Sequence, residues 1–267
     1  MAFNPANNDA IRAEFDNLYK HWSTPQSVAA FAAQTAAPLN DSIYIERHAA
    51  IKRLADKTPG AYDGTMLDIC CGAGNSMRYW PNKRVLGVDI SPVAIGQAQD
   101  LYPDSQWVVG DVETFKLPKL PAKYPVSCIV NSESLEHWID PSIGMKNIRS
   151  QVKTGTPMIL STPNRDSVHC RMHRYLGLGE PPVSCDQHVR EFGYDELIAL
   201  APSWGWTFDG GEESCQLFAV WACEAAVGHT VRLVTDNNVE AVKMFAEIGR
   251  CLPAKYAFCM VLRFRAS

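Results

Sequence analysis

Residues 66–75 read Met66-Leu67-Asp68-Ile69-Cys70-Cys71-Gly72-Ala73-Gly74-Asn75. An apolar run that carries an acid and ends in two glycines one residue apart predicts a strand turning sharply into a helix. Glycine admits unusual backbone angles and puts no Cβ between the main chain and a ligand. At the carboxyl edge of a parallel sheet, such a unit is where open α/β folds bind nucleotide-like cofactors. A dinucleotide fingerprint requires a third glycine, G-x-G-x-x-G, and Met77 stands at that position. A cofactor without a pyrophosphate needs only the first loop and an acid to hold its ribose. Val85-Leu86-Gly87-Val88-Asp89 supplies the acid at the end of a second strand, fifteen residues beyond Gly74.

Downstream, strand and helix alternate as in a doubly wound sheet. Ser91-Pro92 is a helix start, with serine as N-cap and proline as first helical residue, and the helix runs to about Tyr102. Trp107 to Asp111 reads as a third strand ending at an acid, and Val126 to Asn131 as a fourth. A helix with Met145, Ile148 and Val152 on one face leads to a fifth strand, Met158 to Ser161. The segment 163–190 is irregular and rich in Gly, Pro and His, and inserts of this length are commonly functional. Tyr194 to Ala201 resumes as a helix. The span from Trp206 to Val234 should hold one strand and has no further clear assignment. Asn238 to Gly249 reads as a helix and Tyr256 to Arg265 as a closing strand.

Upstream, residues 1–63 form a helical cap, and residues 64–267 the main domain. Ala10–Lys20, Gln26–Ala37 and Ser42–Lys57 carry apolar residues at helical spacing, punctuated by Pro25, Pro38 and Pro59. Tyr19, Trp22, Phe31, Tyr44 and Arg47 either cover a bound ligand or simply pack the cap on the sheet.

The run Leu67-Asp68-x-Cys70-x-Gly72-x-Gly74, followed by Gly87-Val88-Asp89-Ile90-Ser91, resembles the class I S-adenosylmethionine (SAM)-dependent methyltransferases. The resemblance implies an α/β fold with a Rossmann-like seven-stranded class I methyltransferase sheet, an N-terminal helical cap, an antiparallel closing strand and SAM as cofactor. It also implies that Asp68, Cys70, Gly72, Gly74, Asp89 and Ile90 surround the cofactor. Asp111 and Val112 would flank its adenine, and Asn131 would lie at the same edge.

After the fourth strand comes Ser132-Glu133-Ser134-Leu135-Glu136-His137-Trp138. If this is a helical turn, Glu133, Glu136 and His137 lie at i, i+3 and i+4 and share a face. Carboxylates suit magnesium or manganese, and imidazole extends the choice to zinc. His188, after the neighbouring fifth strand, would open onto the same edge. Glu-x-x-Glu-His followed by His188-Val189-Arg190-Glu191-Phe192 resembles the metal-binding methyltransferases, either the ubiquinone-biosynthesis O-methyltransferases or the small-RNA 3′-terminal 2′-O-methyltransferases. Ser161-Thr162-Pro163-Asn164-Arg165 matches the first branch. The resemblance implies Glu133, Glu136, His137 and His188 as metal ligands, with Glu133, His137 and His188 carrying the chemistry. Other readings are metal-free N- or C-methylation with a histidine base, or a SAM-binding sensor without turnover. His169 and His173, at i and i+4, have no further ligands nearby in sequence and read as a surface pair.

Composition bounds the partners. The chain has 267 residues, 46% of them apolar, and a net charge of −4 without a lysine or arginine run. That balance argues against a broad nucleic-acid or anionic-membrane surface and favours a small-molecule acceptor. Nine cysteines without a C-x-x-C pair suit a reducing compartment. With no basic-then-apolar leader and no bilayer-length apolar run, a cytoplasmic protein is expected. Monomer and homodimer both remain open.

Overall fold

The computed structural model describes residues 7–22, 39–82, 84–181, 187–215, 247 and 249–267. The helix expected at Gln26–Ala37, the span 216–234 and most of Asn238–Gly249 lie outside the described residues. So do Phe31 and the side chains of Trp22, Tyr44 and His169.

Helices α1 (Asn8–Trp22) and α2 (Leu39–Asp56) come first. Strands β1 (Thr65–Ile69) and β2 (Val85–Asp89) follow, then helix α3 (Pro92–Leu101) and strand β3 (Gln106–Val109). Strand β4 (Val126–Ser132), helix α4 (Pro141–Ser150) and strand β5 (Pro157–Pro163) continue the alternation. Helix α5 (Val168–Tyr175) lies inside the segment expected to be irregular. Its start is set by Ser167, whose hydroxyl accepts from the Cys170 amide at 3.3 Å. Helix α6 (Tyr194–Leu200) and strands β6 (Trp206–Cys215) and β7 (Cys259–Ala266) complete the described elements. The span from Trp206 that lacked a clear assignment thus begins with a ten-residue strand.

The strands form one seven-stranded sheet in the order β3-β2-β1-β4-β5-β7-β6. β3, β2, β1, β4 and β5 are parallel, and β7 runs antiparallel between β5 and β6. The expected architecture and closing strand are observed. Every residue of β1, β2 and β5 is buried, as the central strands of a sheet covered on both faces must be.

Successive residues along a strand point to opposite faces, and the core divides accordingly. Met66, Val85, Cys128, Val130 and Val261 pack with Ala50, Ile51 and Leu54 of α2 and Ile95 and Ala98 of α3. Leu67, Ile69, Ile129, Met260, Leu262 and Phe264 face the other way, onto Met145 and Ile148 of α4 and Leu197 of α6. Helix α2 is therefore a layer of the fold, lying against β5, β6 and β7. Helix α1 runs across the carboxyl ends of the strands. Arg12 Nε donates to the Ile90 carbonyl at 3.2 Å, and Gln97 Nε2 to the Tyr19 carbonyl at 3.1 Å. No helix among the described residues is long and apolar enough to cross a membrane.

Strand order reverses between β1 and β4, and open α/β sheets bind ligands at that switch point. The half of the sheet beyond it depends on β7. Phe264 is fully buried and meets Phe208 with ring centroids 5.9 Å apart. Phe264→Ala should cost about 3–5 kcal/mol of unfolding free energy, read as a lower urea midpoint at unchanged slope.

Candidate active site

A cavity of 690 Å³ opens at the switch point, within the range of small-molecule sites. Its floor is the exit of β1. Cys70 adopts φ 55°, Gly72 φ 53° and Gly74 φ 78°, so the chain coils through left-handed conformations directly after the strand. Asp89 closes this loop. Its Oδ2 accepts from the Gly72 amide at 2.8 Å and its Oδ1 from the Ser91 amide at 2.9 Å. The hydroxyl of Tyr19 lies only 2.2 Å from where a Cβ on Gly72 would sit, so α1 covers the glycine turn. Tyr19 and Arg47, two of the residues expected either to cover a ligand or to pack the cap, both line the cavity.

Of the residues that the resemblance puts around the cofactor, Asp68, Cys70, Gly72, Asp89, Ile90, Asp111 and Val112 line this cavity. Gly74 and Asn131 are placed elsewhere. Gly74 packs beneath Trp107 and Tyr102, where a Cβ would meet the indole at 2.6 Å. Asn131 is fully buried and accepts from the Ser134 hydroxyl. Both shape the loops from behind. Asp111 accepts from the Asn8 side chain of α1 at 2.8 Å and from the Glu113 amide at 2.9 Å. Asp68 is 1% exposed, bonded to Ser76, and leaves Oδ2 without a partner. A cofactor bearing ammonium and sulfonium charges and a ribose diol fits such a wall. An orphaned carboxylate oxygen meets the cations, and Asp89 keeps lone pairs for the hydroxyls.

The other half of the cavity holds the histidines. The turn after β4 is a short 3₁₀ segment, Leu135–His137, not an α-helical turn. Glu133 precedes it with φ 49°, so the expected common face of Glu133, Glu136 and His137 does not form. Glu133 instead turns to α2, pairing Oε2 with Arg47 Nη1 at 2.8 Å, while its Oε1 has no partner. Glu136, His137 and His188 do converge, their ligand-type atoms lying within 4.8 Å of one another. Glu136 is fully buried, with Oε2 accepting from Thr162 at 3.0 Å and Oε1 unpartnered. His188 and His137 present Nε2 to that Oε1 at 3.9 and 4.0 Å, too far for hydrogen bonds. His137 Nδ1 meets the Gln187 carbonyl at 3.0 Å, and His188 Nδ1 meets Glu191 Oε1 at 2.7 Å.

Thr162 and Glu191 stood inside quoted motifs without a role assigned, whereas Gln187 and Phe15, whose ring stands edge-on to His137 at 5.2 Å, had no signal in the motifs. For Glu191 one was available, since His188-x-x-Glu191 is an i, i+3 pair of complementary groups. His173 is half-buried, its Nδ1 meeting the Gly179 carbonyl at 3.1 Å.

Burial dominates the electrostatics. It pushes Asp68 up to about 7 and Asp89 to about 6, helped at Asp68 by the charge of Asp89. Burial, reinforced by Glu133, drives Glu136 well above the usual carboxylate range. Burial and then the neighbouring His188 lower His137 to about 4, so its imidazole is neutral at physiological pH.

A parallel sheet with one reversed closing strand and, at its switch point, a glycine turn closed by an acid define a class of α/β proteins that bind nucleotide-like cofactors. A family model described as a methyltransferase domain matches residues 44–210. The chain belongs to that family, the class I SAM-dependent methyltransferases.

Relatives and solved structures agree with this at a distance. The chain is 35% identical over 78 residues to trans-aconitate 2-methyltransferase of Enterobacter sp. (strain 638), covering 28% of this chain and 29% of that protein. It is 28% identical over 104 residues to that of Escherichia coli (strain K12 / DH10B), covering 38% and 33%. It thus spans about a third of the length of these relatives. Magnesium protoporphyrin IX methyltransferase from Synechocystis PCC 6803, with S-adenosylhomocysteine bound, superposes with a TM-score of 0.62 at 11% identity, covering 98% of this chain and 100% of that one. The N-methyltransferase NodS from Bradyrhizobium japonicum WM9, also with S-adenosylhomocysteine, gives 0.55 at 17%, covering 94% and 97%. At such identities the likeness carries the fold alone.

The two raised aspartates give a stability signature. Their folded values lie above the ordinary aspartate value of 3.8, so the native state binds more protons between about pH 4 and pH 7. Stability from these groups is therefore lost as pH rises through that window. Asp68→Asn removes the larger share. The melting temperature of the cofactor-free variant, relative to wild type, should rise from pH 5 to pH 8 in a calorimetric series, while its SAM affinity falls.

Proposed function

We propose that this enzyme methylates a hydroxyl oxygen of a small, neutral, catechol- or diol-like acceptor, aided by a divalent cation held by Glu136, His137 and His188. The reading rests on the shared direction of the two imidazoles. Each Nδ1 faces an acceptor, the Gln187 carbonyl or Glu191, which keeps its hydrogen there and leaves Nε2 as a lone pair. Both lone pairs face the orphaned, buried Oε1 of Glu136. Two imidazole nitrogens and a carboxyl oxygen around one point fit a cation such as magnesium, manganese or zinc, which would take the place of the proton that burial favours on Glu136. Bound there, it would act as a Lewis acid on an acceptor hydroxyl, otherwise a poor nucleophile.

The chain's own residues do the rest. Glu136 is aimed by Thr162, and His137 is walled by Phe15. Glu133, tied to Arg47, stands outside the three-atom cluster. Its charge disfavours ionisation of Glu136, and Arg47 opposes that effect. Methyl transfer from a sulfonium is an in-line displacement, so positioning of the acceptor beside the cofactor half is the main demand on the fold.

Charge supports a neutral acceptor. Among the described residues, seven carboxylates line the cavity (Asp68, Asp89, Asp111, Glu113, Glu133, Glu136 and Glu191), against one arginine, Arg47. A polycarboxylate such as trans-aconitate, or the phosphates of an RNA end, would be repelled unless metal and cofactor charges outweighed that wall. Cys70, Cys71, Cys128, Cys170, Cys251 and Cys259 are free thiols.

Glu136→Gln and His188→Ala should each lower kcat/KM by about 10²-fold or more while SAM affinity, measured by calorimetry, stays near wild type. Native mass spectrometry should find one divalent ion per chain, and excess EDTA should abolish turnover reversibly. Full activity in EDTA would remove the cation from the reading and leave His137 or His188 as general base.

A further inference from the structure

We propose that Glu191 is a positioning residue for the transfer centre, holding His188 in the one tautomer whose Nε2 lone pair faces Glu136. The proposal deepens the function above and rests on that reading for its consequence.

Glu191 Oε1 lies 2.7 Å from His188 Nδ1, and both side chains are nearly excluded from solvent, at 4% and 8% exposure. Its second oxygen faces Arg165 Nη1 at 3.8 Å. Arg165 is itself anchored, donating to the Pro181 carbonyl at 2.7 Å. The main chain around Glu191 is fixed from two sides. The amides of Val189 and Arg190 donate to the Glu136 carbonyl at 2.8 and 3.1 Å, and the Phe192 carbonyl accepts from the Arg165 amide at 2.9 Å. The main chain that carries His188 and Glu191 is thus tied to the exits of β4 and β5.

A neutral imidazole carries one N–H. An ionised carboxylate only accepts, so it keeps that hydrogen on Nδ1 and the lone pair on Nε2, 3.9 Å from Glu136 Oε1. Without it the hydrogen is free to move to Nε2. A donor would then stand where a base or ligand is required. Glu191 is not itself part of the converging trio. For His137 a main-chain carbonyl does the same work, so Glu191 is the point at which side-chain substitution reaches a tautomer.

The test reads the tautomer directly. Protein labelled with ¹⁵N-histidine, stripped of metal with EDTA, is compared by long-range ¹H–¹⁵N correlation as wild type, Glu191→Leu and Glu191→Gln, with SAM binding as the check on folding. Wild type should show His188 protonated at Nδ1. Glu191→Leu should shift it to Nε2–H, and Glu191→Gln, which keeps an acceptor oxygen, should hold most of the wild-type form. In a parallel titration, Mn²⁺ should bind Glu191→Leu about 10–100-fold more weakly, with Glu191→Gln between. A Leu variant with the wild-type tautomer overturns the proposal, as does one with the wild-type Mn²⁺ affinity. A wild type that binds neither Mn²⁺ nor Zn²⁺ but shows the tautomer shift removes the metal reading and leaves Glu191 positioning a general base. Should the Leu variant fail to bind SAM, the Gln variant and the wild-type spectrum decide, and wild-type His188 protonated at Nε2 is sufficient to discard the idea.

Discussion

The carbonyl of Glu136 accepts from the amides of Val189 and Arg190, and the assembly of the active site depends on that main-chain clasp. Glu136 and His188 are far apart in the chain, on loops that leave two adjacent strands. Pairing of β4 with β5 brings the loops to one edge, with Ser132 beside Ser161. The Glu133 amide donates to the Ser161 carbonyl at 2.9 Å, and Thr162 then reaches Glu136 Oε2. The donor groups are thus located by backbone hydrogen bonds, which few side-chain substitutions disturb. Sites supported in this way hold their geometry better than sites on free loops.

A second constraint is electrostatic. Burying several carboxylates around one cavity is unfavourable unless something cationic or protonated compensates. In the cofactor half the raised Asp68 and Asp89 carry that conflict, and a sulfonium with an ammonium group relieves it. In the acceptor half Arg47 offsets Glu133, which leaves Glu136 as the acid with an unmet oxygen. The two halves differ accordingly: the raised acids of one suit a charged organic cofactor, and in the other the unmet oxygen of Glu136 faces two imidazoles. A site whose acids favour binding of the cationic cofactor also has less hold on the thioether product.

Much of this was legible in the chain. Strand β1, its glycine turn and Asp89 are local features, each set by neighbours in sequence, and they fall where the spacing puts them. The antiparallel closing strand and the adjacency of β4 and β5 follow from the family resemblance, because alternation alone sets neither strand direction nor strand order. Gly74 and Asn131 are subtler, because a motif marks residues that build a loop as well as those that touch a ligand. Glu133 was misread through its backbone. Helical spacing assumes helical angles, and nothing local announces that a glutamate will adopt φ 49°. Its partner, Arg47, comes from α2, distant in sequence and placed only by packing on β5 to β7.

That misreading points to how the turn works. Among the described residues, Cys70 and Glu133 are the two non-glycines in the left-handed region, and both directly follow strands flanking the switch point. Each conformation costs roughly 1–2 kcal/mol. At Glu133 the bend sends Leu135 into the core, fully buried, and brings Glu136 beneath the two histidines. A glycine there would adopt the angle freely but could not pair with Arg47, and the chain would lose the anchor that fixes its direction. The buried Glu133–Arg47 pair therefore acts as a brace for the bend. Glu133, which shares a spacing pattern with Glu136 and His137, thus serves to hold the Glu136 loop in shape.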